Sequence, residues 1–91
     1  MLTESETGMD IEKLSYAERK LLDTIIKYKA TNEKVAEILG LKSSTVRVHL
    51  WNIGNKMKSP DADRVPGKLE IVLSYYIEKR YREERKLLGI S

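Results

Sequence analysis

Six side chains at helical spacing carry the chemistry this sequence offers: Ser44, Arg47, Val48, Trp51, Asn55 and Lys58. Stepping residues by ~100° gathers them on one side of a helix, with Val46, Leu50, Ile53 and Met57 in a narrow stripe opposite. The outer set holds a guanidinium, a carboxamide, a hydroxyl, an ammonium and two apolar groups, and no acid. Such groups match base edges: a guanidinium suits guanine, an amide suits adenine, and an aliphatic side chain meets the thymine methyl. What the chain lacks is equally informative. It has no cysteine and a single histidine, His49, so neither a thiolate metal site nor a multi-histidine cluster can be assembled. At the edge of the core stripe, His49 reads as a hydrogen-bonded packing residue rather than a metal ligand. Enzyme activity is not expected, and no cofactor or small-molecule ligand is implied.

The charge distribution supports a polyanionic partner. A formal net charge of +3 divides into −4 on residues 1–12 (Glu4, Glu6, Asp10, Glu12) and +7 on residues 13–91. Residues 38–60 contain no Asp or Glu but hold Lys42, Arg47, Lys56 and Lys58. A single-sign segment draws polyanions; the same charges also fit a solvated face, so charge alone does not decide. With 91 residues there is room for one small domain, burying about 60–65% of its unfolded surface. No run of about 18 apolar residues exists to span a membrane, and the acidic, polar start fits neither a signal nor a transit peptide. A soluble, cytoplasmic module is expected.

The elements that must position the outer face are all helical. Apolar residues recur at three and four, and no alternating stretch predicts a strand. Residues 1–12 read as a flexible acidic tail and residues 13–91 as the domain. Ser15 and Glu18 form a capping box opening a first helix to about residue 29, with Leu21, Leu22, Ile25 and Ile26 inward and Tyr16 and Tyr28 partly buried. Thr31 caps a short second helix, 32–39, and Gly40 suits the left-handed residue that ends it. Ser43 or Ser44 caps a third helix to about residue 58. Ser59-Pro60 and Pro66-Gly67 mark breaks, with Pro66 in the first turn of a fourth helix to about residue 88. The second and third helices, joined by about three residues, form a helix-turn-helix. An ordinary helical hairpin gives the same core pattern; the acid-free outer face favours DNA.

These residues resemble a known family. Thr31-Asn32-Glu33-Lys34-Val35-Ala36-Glu37-Ile38-Leu39, Leu41, Thr45-Val46-Arg47-Val48-His49 and Asn52-Ile53-Gly54-Asn55-Lys56-Met57 look like the LuxR/GerE-type DNA-binding domain. Leu14-Ser15, Glu18 and Leu22 sit where that family's opening Leu-Thr-x-x-Glu falls, and the likeness covers roughly residues 14–76. It implies an all-α four-helix bundle containing a helix-turn-helix, with the third helix in the major groove, the fourth mediating dimerisation, and transcription regulation as the activity. It further implies base reading by Arg47 and Val48, and phosphate or backbone contacts by Thr45, Lys34 and Lys56. Two positions depart from the pattern. Lys42 replaces the usual Ser or Thr cap, passing the cap to Ser43 and leaving Lys42 for a phosphate. Trp51 replaces a common basic base-reader, so its indole can meet a thymine methyl, a sugar, a partner protein, or the core beneath the 59–65 loop. For Lys56 and Lys58, a favourable charge at the helix C-terminus fits as well as phosphate contact.

The fourth helix, 66–88, is about 35 Å long and exceeds what that pattern needs. Leu69, Val72, Leu73 and Tyr76 make one stripe, expected to pack inward. Ile71 and Tyr75 point nearly opposite and, with Leu87, are the expected dimer contacts. Double-stranded DNA and a second copy of the chain are thus the expected partners. Met1 and the short stretch before the first helix favour a stand-alone regulator without a fused sensor. The competing reading is a protein-interaction adaptor whose helix-turn-helix scaffold and long last helix contact RNA polymerase or another regulator. A sigma-factor region 4 fragment has similar helices, but the Thr-Val-Arg-x-His run fits it less well.

Overall fold

Side-chain caps open the first two of four α-helices in the computed structural model, which describes residues 9–89. A 3₁₀ turn, Ile11–Lys13, leads into α1 (Tyr16–Tyr28), α2 (Asn32–Leu39), α3 (Ser43–Met57) and α4 (Lys68–Leu87), with no strand among the described residues. At the start of α1, the Ser15 hydroxyl accepts from the Glu18 amide at 3.1 Å while the Glu18 carboxylate accepts from the Ser15 amide at 2.9 Å. The Thr31 hydroxyl accepts from the Lys34 amide at 3.3 Å to open α2. Gly40, at φ 69°, ends α2 in a left-handed turn, with the Leu41 amide reaching back to the Ala36 carbonyl at 2.8 Å. This 6→1 bond satisfies a carbonyl the helix leaves open and reverses the chain toward α3 within three residues.

Two starts differ from expectation. Neither Ser43 nor Ser44 caps α3: the N-cap is Lys42, whose side chain makes no capping bond, and Ser43 is already the first helical residue. The early turn at Gly40 brings the chain into helical geometry one residue sooner than a serine cap requires. Likewise α4 begins after Gly67, so Pro66 precedes the helix instead of occupying its first turn.

The core gathers Met9, Leu14, Leu21, Leu22, Ile25, Val35, Val46, Leu50, Ile53, Ile71 and Tyr75, with α3 packed on all three other helices. Met9 and Ile11 correct the expected tail. Both are buried, Asp10 caps the 3₁₀ turn, the Arg19 Nε donates to the Ile11 carbonyl at 3.1 Å, and Glu12 pairs with Arg82 of α4 at 3.3 Å. Residues 9–12 therefore belong to the domain, and the rest of the expected tail, 1–8, lies outside the described residues.

The faces of α4 are largely the reverse of those expected: of the stripe expected inward, Val72 packs against the core and the other three members do not. Ile71 and Tyr75 are buried (0% and 3% exposed), whereas Leu69 and Leu73 face solvent (81% and 55%) and Tyr76 is exposed. Ile71 and Tyr75 are thus core residues, not dimer contacts. The inward stripe, Ile71-Tyr75-Glu78, is the more polar one; Glu78 pairs with Arg82 one turn on, at 3.6 Å, and the Tyr75 hydroxyl is met by another element. The Tyr75 hydroxyl donates to Asp23 of α1 at 2.8 Å, and Lys79 donates to the same oxygen at 2.9 Å. Burial, then the Asp23 carboxylate, push the Tyr75 phenol well above its ordinary value. Tyr16 and Tyr28, expected partly buried, are exposed, each beneath a lysine from its own helix, Lys20 and Lys27.

Candidate nucleic-acid interface

Burial of Val46, Leu50 and Ile53 sets the rotation of α3 and turns Ser44, Arg47, Val48, Trp51, Asn55 and Lys58 outward, all exposed. Lys42 is exposed at the start of the helix, with Ser43 and Thr45 half-buried beside it. Lys42, Arg47 and Lys58 pair with no acid among the described residues, so three cations surround an uncompensated surface. Lys34, at the start of α2, is exposed and makes only a loose contact with Glu37 at 3.7 Å. Trp51 is 58% exposed, so the loop after α3 does not fold it into the core. His49 is half-buried at the edge of the core stripe. No group of three or more acidic or histidine side chains among the described residues could hold a metal ion.

Two expected contacts are otherwise engaged. Lys56 does not project freely toward a phosphate: its ammonium donates to the Glu18 carboxylate at 2.5 Å, tying the end of α3 to the first turn of α1. The reason is the burial of Glu18, 4% exposed, because a carboxylate removed from water requires a cation and donors around it. Burial raises the Glu18 pKa, but hydrogen bonds from Lys56 and the Ser15 amide outweigh it and hold the carboxyl below its usual range. Asn55 remains exposed, yet its amide donates to the Trp51 carbonyl at 3.1 Å, on its own helix.

Gly54 is the positioning residue that sequence reasoning passed over. It lies buried on α3 where the loop to α4 crosses, and a Cβ there would overlap a Val65 methyl and lie 2.9 Å from the Pro66 carbonyl oxygen. A glycine inside an otherwise well-formed helix was the available signal. The crossing sends the 59–67 connection past the side of α3 and leaves its outer face uncovered. The second overlooked feature is the outward seam of α4, with Leu69, Leu73 and Tyr76 at steps of four and three.

A family model, described as bacterial regulatory proteins of the luxR family, matches residues 12–63, more than half of the chain. The match begins within the 3₁₀ turn, takes in α1, α2 and α3, and stops before α4. No curated protein and no solved structure matches the chain. None of the described helices is long and apolar enough to cross a membrane. The matched segment is thus the one that builds and orients the acid-free outer face, and the chain belongs to the LuxR family of bacterial regulatory proteins, a family of DNA-binding transcription regulators rather than enzymes.

Proposed function

We propose that the protein binds specific duplex sequences as a homodimer, laying the outer face of α3 in the major groove. The observation that carries this reading is the exposed face of α3, where Lys42, Arg47 and Lys58 have no acidic partner among the described residues. Their charge is left for phosphates or bases, and an electrostatic interface of this kind loses counterions on binding. The uncapped amides at the start of α3 add a favourable approach for a phosphate beside Lys42. Lys56 contributes by fixing the angle of α3, through Glu18, rather than by touching DNA.

Dimerisation passes to the seam that the inward rotation of Ile71 and Tyr75 leaves outside: Leu69, Leu73 and Tyr76, with Leu87 further along α4. Large apolar side chains in a row on one helix face favour burial against a second copy. An adaptor that uses the same seam for a partner protein predicts no duplex binding.

Salt titration separates these readings. The logarithm of duplex affinity should fall linearly with the logarithm of salt, by about 0.9 per phosphate neutralised. Arg47→Ala should cost about 1–3 kcal/mol and relax selectivity at one base position. A loss spread evenly over all sequences would make Arg47 a phosphate contact instead. Absence of binding to any duplex at low salt would overturn the DNA-binding reading.

A further inference from the structure

We infer that Val48 and Trp51 make thymine methyl groups the apolar determinant of the duplex this protein selects, an inference that rests on α3 being the groove-reading helix. Ser44, Val48, Trp51 and Asn55, at steps of four, three and four, run as a ridge down the middle of the outer face, opposite Val46, Leu50 and Ile53. The two central members of the ridge are apolar and wet, Val48 at 56% exposure and Trp51 at 58%. None of the described residues covers them, because the loop after α3 crosses at Gly54 instead. At one end of the ridge the Asn55 amide donates to the Trp51 carbonyl of its own helix. Arg47 stands to one side.

The groove chemistry then discriminates. Base-pair edges in the major groove present donors and acceptors throughout, and the thymine C5 methyl is their one apolar group. An isopropyl group or an indole pressed over donors and acceptors strips their water without replacing the hydrogen bonds. Pressed over a methyl, it buries apolar surface on both partners. A protein partner would bury the same two side chains, but Lys42, Arg47 and Lys58 around the ridge, with no acid from residue 38 to residue 60, complement a polyanion.

The test replaces thymine with deoxyuridine, which removes only the methyl. The probe is the tightest duplex recovered by the full chain from a random pool, compared with its fully deoxyuridine-substituted counterpart. The substituted duplex should bind about fourfold more weakly per contacted methyl, the loss expected for one buried carbon. Trp51 is the chain's single tryptophan, so its emission should also change more on the thymine duplex than on the uracil duplex. In Val48→Ala/Trp51→Ala, whose side chains are exposed and whose helical signal should be unchanged, the preference for thymine should vanish. Equal affinity for the two duplexes, or a preference that survives intact in the double variant, overturns the inference and leaves duplex binding standing. Failure to bind any duplex at low salt overturns both.

Discussion

At the scale of single residues, Glu18 joins two tasks through one carboxylate oxygen. It closes the capping box of α1 by accepting from the Ser15 amide and takes the Lys56 ammonium from the far end of α3. The folded carboxyl therefore titrates below the ordinary value of 4.5 that applies in the unfolded chain. The unfolded state binds the proton first on acidification, so Glu18 contributes stability that is fully present above that value. The contribution is lost as pH falls through 4.5 and then through the lower folded value. Glu18→Gln should remove that part of the acid dependence and lower stability near neutrality by about 1–3 kcal/mol, through loss of a charge-assisted bond. Urea midpoints measured from pH 7 downward check this: parallel curves for the two proteins would assign the acid sensitivity elsewhere. Because Lys56 sits on the helix that carries the proposed binding face, Lys56→Met should weaken duplex binding without lowering the salt slope. A phosphate-contacting lysine would lower it by about 0.9.

At the scale of elements, Gly54 shows a helix giving up propensity for a crossing. Alanine is favoured over glycine in a helix interior by about 1 kcal/mol. At this site the added carbon would meet Val65 and the Pro66 carbonyl, and overpacking of that kind costs about 1–3 kcal/mol. Gly54→Ala should therefore lower the thermal midpoint, and adding Val65→Ala should restore part of the loss, because the Val65 methyl can be removed and the Pro66 backbone cannot. A midpoint raised by Gly54→Ala would mean the loop yields freely.

What could be read in advance follows the same division between local and distant contacts. The Ser15, Thr31 and Gly40 punctuation was legible because each residue acts on backbone groups within a few positions of itself. The rotation of α3 was legible because Val46, Leu50, Ile53 and Met57 fall on one stripe and every charged residue but Lys56 falls on the face opposite. On α4 apolar residues occupy two faces, and counting them chose the wrong one. The inward face includes Tyr75, whose hydroxyl is accommodated by Asp23, 52 positions away in sequence. Lys56 looked free for the same reason, its partner lying 38 positions earlier. Met9 and Ile11 were too few apolar residues in a polar stretch to announce that they pack.

At the scale of the whole molecule, the reversed face of α4 changes how dimerisation must be tested. Substituting Ile71 or Tyr75 would strip the core and unfold the protomer, which says nothing about association. Leu69→Gln/Leu73→Gln removes apolar surface from the exposed seam while leaving charge, helix propensity and the core unchanged. Far-ultraviolet circular dichroism and the thermal midpoint of a monomer should stay near those of the parent under conditions where the parent is also monomeric. Sedimentation should report a dimer for the parent at tens of micromolar and a monomer for the variant. The protomer measures 39 × 33 × 19 Å, so two copies set side by side have about the width needed to place two α3 helices one turn of DNA apart, roughly 34–36 Å. The parent should accordingly favour paired half-sites at that spacing, and the variant should bind one half-site with about half the salt slope, since half the phosphates are neutralised per binding event. A variant that still sediments as a dimer and retains the full slope would place the contact between copies away from α4.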